Sequence, residues 1–403
     1  VSTLPMPSTT PSAVRSAAVR TAADQSDADR PVGGDGAHSR VRSVSRPRSK
    51  APTHGAFLHD IGPSWPRVLV HPAGHPLVQR LHGRIARIIQ PWGRADGFAD
   101  SSWIHAHSLE WDVVHLMLGR DTPGPFRSVE QMGAALRAHR ECAVPTVVTV
   151  LDLAVDDLPV LEALRANAHL ISRVTTLTRG AADRIAEETG IRPVVIPHGP
   201  VLNHHDLSLA RRWRRHVRLL PTDAAPLVVC ATAPSDDLDL DRLVAAADRV
   251  AGSRPLRLLV NADRARPLEG GDPDRVERIV MDRADDLTIA REMARAEAVI
   301  VPLRSGSHSR VVELAADVGV PVVASDVGHL ADQVPVRTVP LGPDGVDLEA
   351  LAAALRRPFG FTTSSPQCQR ERAEHAFVAG WSDLYTRVRM GHTTVGSAQA
   401  RVS

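Results

Sequence analysis

Short runs of branched apolar residues alternate along most of this chain with stretches whose apolar positions recur at helical spacing. Residues 67–71 (RVLVH), 112–118 (DVVHLML), 145–151 (PTVVTVL), 173–177, 193–197, 227–231, 256–260 (LRLLV) and 275–281 read as strands. Between them come the stripe Leu77, Leu81, Ile85 and Ile88, and helical segments at 129–142, 159–169, 181–188, 240–250 and 286–296. Strands that are apolar on both faces and alternate with helices are expected in a parallel sheet covered on both sides. The alternation restarts after residue 226. The expected fold is therefore α/β, with two Rossmann-like domains facing a cleft.

The unit at 298–333 is the most informative. Val299, Ile300 and Val301 form an apolar run closed by Pro302, and Ser305-Gly306-Ser307 is a turn of small residues that lets a ligand approach the backbone. Val311, Leu314, Ala315 and Val318 then mark the apolar stripe of a helix, Gly319 stops it, and Pro321 to Ser325 supply the next buried strand. A small-residue loop at the carboxyl end of a strand, feeding a helix N-terminus, is where an open parallel sheet binds anions.

This segment resembles the donor-site segment of retaining glycosyltransferases of the GT-B fold, family 4 type. There a loop, a helix bearing a glutamate and a "GxPVVAS…G" strand-turn follow one another, as Gly319 to Ser325 and Gly328 do here. The stretches LTRGAADRIAEETG…PVVIPHG (177–199) and WSDLYTRV (381–388) extend the likeness over residues 65–390. The resemblance implies transfer of a hexose from a nucleotide sugar to a glycan, lipid-linked or small-molecule acceptor, with retention. It implies a last helix that crosses back to the first domain, and it calls for no metal and no cofactor beyond the donor substrate. Arg304, Ser305, Gly306, Ser307, His308 and Arg310 would form the donor side, with Glu313 on the ribose. Gly74 and His75 would approach the acceptor from the first domain, and Asp152, His198 and Gly199 would line the cleft. No catalytic residue is assigned.

Departures from the family pattern keep a second reading open. Ser305 stands where the first glutamate of the paired motif belongs, and Leu151 where a sugar-touching histidine often lies. No Arg or Lys occurs between Arg218 and Arg242 to clamp a diphosphate, and ATAPSDDLDLD (231–241) brings four aspartates there instead. A transferase-like scaffold or sugar-binding protein that partners an active enzyme fits these losses. Epimerisation or phosphorolysis on the same fold is a third possibility. Glu313 itself reads either as a ligand or as a residue on the solvated helix face, and His198 as a cleft contact or a hinge-packing residue.

The 403 residues allow two domains plus a tail, with expected boundaries at 1–62 (disordered tail), 63–200, 201–225 (connector), 226–345, 346–390 (terminal helices) and 391–403. A net charge of +2 gives no whole-chain argument for nucleic acid. Three widely spaced cysteines, Cys142, Cys230 and Cys368, make neither a disulfide framework nor a metal motif, which points to a reducing cytoplasm. Prolines 72 and 76 prevent His71 and His75 from sharing a helix face, and no HExxH exists, so no metal site is expected. The basic run at 40–50 reads as part of a solvated tail, with contact to anionic lipid or RNA as the alternative, and Arg211 to Arg215 as part of a solvated, amphipathic interdomain helix, with phosphate or a membrane surface as the alternative. No run reaches the roughly 18–20 apolar residues of a span, so the expected location is the cytoplasm, at most peripheral at the inner face of the membrane.

Overall fold

The structure, a computed structural model, describes residues 65–72, 75–89, 101–119, 128–151, 153, 158–219, 225–231, 240–245, 249–250, 254–261, 276–281, 285–306, 308–359 and 366–391. All of these belong to one compact unit, His59–Ser403. The tail, Gly74, Asp152, Ser307 and the aspartate-rich stretch 232–239 lie outside the described residues.

The first half runs β1 (Arg67–His71), α1 (Pro76–Leu81), β2 (Arg87–Ile89), α2 (Ser101–His107), β3 (Val113–Leu118), α3 (Val129–Glu141), β4 (Thr146–Val150), α4 (Leu158–Ala166), β5 (Arg173–Thr176), α5 (Arg179–Thr189) and β6 (Val194–Val195). Its strands make one parallel sheet in the order β2-β1-β3-β4-β5-β6. The second half runs α6 (His204–Leu219), β7 (Leu227–Ala231), α7 (Leu240–Ala245), β8 (Leu256–Asn261), β9 (Val276–Met281), α8 (Asp286–Arg295), β10 (Ala298–Val301), α9 (Arg310–Val318), β11 (Val322–Ser325), α10 (Leu330–Gln333) and β12 (Arg337–Val339). A hairpin, β13 (Leu341–Gly342) with β14 (Gly345–Val346), leads to α11 (Leu348–Arg356) and α12 (Pro366–Arg389). The second sheet is also parallel, in the order β12-β11-β10-β7-β8-β9.

Strand periodicity explains the layering of the first domain. Leu69, Val114, Leu116 and Val148 pack against Met132 and Leu136 of α3 and Leu161 of α4. The alternate residues Val68, Val70, Val113, Met117 and Val147 face the other way, onto Leu77 and Leu81 of α1 and Phe377, Trp381 and Tyr385 of α12. Helix α12 therefore shares with α1 the cover of one face of the first sheet, crossing back to the first domain as the resemblance implied. A buried polar ladder pins it there. His115 in β3 lies 2.8 Å from the Tyr385 hydroxyl and 2.6 Å from Thr149 Oγ1, which in turn lies 2.6 Å from Thr175 Oγ1. Burial lowers the His115 imidazole to about 3, so it stays neutral.

Two sequence expectations are corrected. The stripe Leu77–Ile88 is not one helix, because α1 stops at Leu81, His82 is extended and Gly83 takes φ 69°. The His82 ring then accepts from the Ile88 N–H at 3.1 Å, so the chain turns into β2. The connector helix α6 is amphipathic, as expected, but its clustered arginines are not all solvated. Its apolar positions Leu207 and Ala210 are buried in the second core, and Arg214 is turned inward, donating to the carbonyls of Ala294 (3.1 Å) and Ala296 at the end of α8. Arg211 donates to the Asp317 carbonyl at 3.0 Å, while Arg212 and Arg215 stay on the exposed face. Among the described residues no helix is long and apolar enough to cross a membrane.

Candidate functional site

The loop after β10 needs Gly306, which takes φ 113°, a region closed to most side chains. Helix α9 then starts at Arg310 behind Ser309, whose side chain makes no capping bond. Ser128, Thr178, Asp285 and Asp347 do cap α3, α5, α8 and α11. Ser309 thus leaves the first-turn N–H groups of α9 to another acceptor, at the positive end of the helix dipole. Gln333 of α10 braces the entry, accepting from Ser309 N at 3.0 Å and donating to Ser309 O at 3.3 Å.

Three imidazoles from three parts of the chain meet beside this entry. The His198 and His308 rings are 5.5 Å apart, between the interdomain junction and the second-domain loop. His75 caps α1 through its own Nδ1, 3.2 Å from Leu77 N, and lies within electrostatic reach of both Arg310 and His308. The His308 Nε2 atom is buried without a hydrogen-bond partner among the described residues, 4.0 Å from Glu313 Oε1. Burial, reinforced by neighbouring positive charge, lowers His75 to about 4 and His308 to about 3, and depresses His198 strongly. All three are neutral, able to donate from one nitrogen and accept at the other.

The cations expected on the donor side are already engaged. Arg310 grips Asp286 with Nε at 3.0 Å from Oδ1 and with Nη2 on Oδ2, and Arg304 Nη2 donates to the Asp344 carbonyl at 3.0 Å.

Glu313 differs most from its sequence reading. It is buried rather than solvated, because the inward face of α9 carries Val312, Glu313 and Asp317 besides Leu314, Ala315 and Val318. Its Oε2 accepts from Arg370 Nη1 of α12 at 2.9 Å, and its Oε1 lies 3.5 Å from Gln333 Nε2. One turn on, Asp317 accepts from Arg370 Nε at 2.6 Å and from the backbone N–H groups of Val201 (2.6 Å) and Leu202 (2.9 Å). Burial pushes Glu313 up to about 7 against the pull of Arg370, and raises Asp317 in the same direction. Sequence reading missed Arg370, 57 residues from Glu313. A signal for Asp317 was present: an acid four residues after Glu313, between apolar neighbours, shares its helix face.

The two halves also touch across α5 and α10, where the Gly180 N–H donates to Asp332 Oδ2 at 2.8 Å. At the junction, Gly199 takes φ 67°, and a Cβ there would lie 3.0 Å from Arg80 Nη2 and 3.1 Å from Phe377 Cβ. Gly199→Ala is expected to lower the free energy of unfolding by about 1–3 kcal/mol. A urea melt with an unshifted midpoint would show that the junction tolerates a side chain.

Two facing Rossmann-like domains, joined by a helix that returns from the second to the first, define the GT-B class, and the chain resembles glycosyltransferases of that fold. Among solved structures, sucrose-phosphate synthase from Thermosynechococcus elongatus matches at 17% identity with a TM-score of 0.57, over 81% of this chain and 100% of the other. HepE from Anabaena, in complex with UDP, matches at 13% identity with a TM-score of 0.50, over 81% of this chain and 98% of the other. At 17% and 13% identity the likeness is one of fold. No protein-family model matches the sequence, and no curated protein matches it.

Proposed function

We propose that the chain is a retaining glycosyltransferase that moves a hexose from a nucleotide sugar to a glycan, lipid-linked or small-molecule acceptor. The observation that carries this reading is the entry of α9: a glycine turn, a first helical turn not capped by Ser309, and an unpartnered, buried His308 Nε2 beside it. The donor diphosphate would sit at that helix end, held by N–H groups of the loop Ser305 to His308 and by Arg310, with no metal required. The sugar would face His198, Gly199 and the first-domain loop of Gly74 and His75, with Asp152 near the acceptor. Arg304 would steady the loop from its Asp344 contact, and Glu313 would meet the ribose through Oε1, the oxygen not bonded to Arg370. Such a protein works in the cytoplasm, in contact with the inner face of a membrane where its acceptor is lipid-linked.

Two contacts favour the second reading, a sugar-binding or scaffolding relative without catalysis. Arg370 already holds the carboxylate that the resemblance gives to the ribose, and Arg310 already holds Asp286. Calorimetric titration with UDP, GDP and ADP, without added metal, separates the two. Micromolar binding of one nucleotide supports transfer and names the donor base. Silence from all three supports the scaffold.

A further inference from the structure

The run Arg211-Arg212-Trp213-Arg214-Arg215 divides by helix face. Arg211 and Arg214 close helix ends: Arg211 donates to the Asp317 carbonyl in the last turn of α9, and Arg214 to the carbonyls of Ala294 and Ala296 at the end of α8. Nothing in the fold employs the other two. Arg212 and Arg215 are exposed and make no hydrogen bond or ion pair among the described residues, and the same holds for Arg291 beside them on α8. The Arg291 guanidinium stands 5.9 Å over the ring of Trp213, which is partly buried against the second core. The exposed positions of α6, His204, His205, Ser208, Arg212, Arg215 and His216, recur at intervals that place them along one stripe.

The acids around this stripe are already committed. Asp206, the one acid of α6, is bonded to Asn203, Glu292 of α8 pairs with Arg295 and Arg257, and Glu297 pairs with Arg254. Glu371 of α12 faces Arg211. Arg215 therefore stands one turn from both Arg211 and Arg212, like charges that repel along the helix. We propose that the outer face of α6, with Arg291 of α8, docks the protein on an anionic lipid bilayer. The row follows an exposed helix, so its cations meet a plane of phosphate headgroups together, each with the planar donor fork that phosphate takes in pairs. Trp213 lies among them, the side chain that settles where a bilayer meets water. The face adjoins the C-terminal end of α9, where Arg211 is bonded, and the anion entry lies at the other end of that helix. The docking face stands apart from sugar transfer and holds for either reading of the cleft.

The test is co-sedimentation of the full chain with vesicles of phosphatidylcholine alone, and of phosphatidylcholine and phosphatidylglycerol in equal parts. Wild type should pellet with the mixed vesicles and stay in solution with the neutral ones. Arg212→Gln, Arg215→Gln and Arg291→Gln together should weaken binding about a hundredfold, roughly fivefold for each arginine near a charged surface. Glutamine is a good helix former and these side chains bond to nothing, so the fold is kept. A second triple, Arg137→Gln, Arg165→Gln and Arg356→Gln, removes the same charge from exposed positions on α3, α4 and α11 and should bind as wild type does. Both triples retain the basic run at 40–50. Wild type that ignores the mixed vesicles, or binds the neutral ones equally, overturns the proposal, as does a first triple that loses no more than the second. Binding to polyuridylate and not to the mixed vesicles assigns the face to RNA and overturns it too. Should the first triple fold poorly, Arg212→Gln with Arg215→Gln is held to the same outcomes. A chain that binds a nucleotide and no vesicle keeps the transferase reading and loses this one.

Discussion

Arg370→Ala should lower the free energy of unfolding by about 3–5 kcal/mol, the scale for stranding one side of a buried ion pair. The substitution leaves Glu313 and Asp317, one helical turn apart, without their shared cation and out of reach of water. It also removes a donor from the Gly199 carbonyl. Much of this cost belongs to the abandoned carboxylates and not to the net worth of the pair. The triple change Arg370→Met, Glu313→Gln, Asp317→Asn should therefore recover more than half of the loss. Urea denaturation followed by tryptophan fluorescence measures both, since Trp381 lies on the same helix as Arg370. A single variant within about 0.5 kcal/mol of wild type would mean that the cluster contributes nothing and that the two acids are protonated in the fold.

Acidification should be the second large effect. Burial holds His75, His115, His139 and His308 at about 4, 3, 4 and 3, and His198 is depressed as well. An unfolded chain titrates its histidines near 6.5. A depressed imidazole contributes stability that is complete above about pH 6.5 and is lost as the pH falls toward its folded value, at roughly 1.4 kcal/mol per pH unit. Glu313 and Asp317, both raised, act in the opposite direction: their contribution is present at low pH and fades as the pH rises, for Glu313 through about 7. Two carboxylates offset at most two of the five histidines. The net slope near pH 5.5 is then on the order of 3 kcal/mol per pH unit. Urea midpoints should drop steeply between about pH 6.5 and about pH 5. A flat profile there would show that these imidazoles already carry protons in the folded state.

The cleft inherits this electrostatic state. Its histidines, His75, His198 and His308, present hydrogen-bonding nitrogens without charge, beside arginines that are committed to Asp286 and Glu374. Affinity for an anionic ligand would rest on the α9 entry and its neutral donors more than on free guanidinium groups. That follows from the same packing that makes the fold acid-sensitive.

Most of the secondary structure was legible because it is written in local patterns. Strands β3, β4, β7 and β8 match their apolar runs within two residues at either end, since a strand buried on both faces must be apolar throughout. Helices α3, α8 and α9 follow from their stripes and stops, with Gly319 in the left-handed conformation ending α9. The misreadings have local causes too. The apolar spacing of Leu77 to Ile88 suits a helix, but Gly83 and the His82 ring bond redirect the chain after Leu81. The arginines of α6 divide by helix face, Arg214 inward and Arg212 outward, which spacing alone indicates only once the partner surface is known.

What the sequence by itself determined is the alternation, and with it two parallel sheets, a small-residue loop feeding a helix N-terminus and a stretch without Arg or Lys between Arg218 and Arg242. The tertiary structure decided what the charges do. Glu313 lies on a helix whose apolar stripe is plain, yet its environment is set by Arg370, which arrives from 57 residues away. Hydrophobic burial is additive and local enough to be read from periodicity, because any apolar partner will do. A buried carboxylate needs one particular cation at hydrogen-bonding distance, and only the crossing of α12 over the junction determines which one it meets.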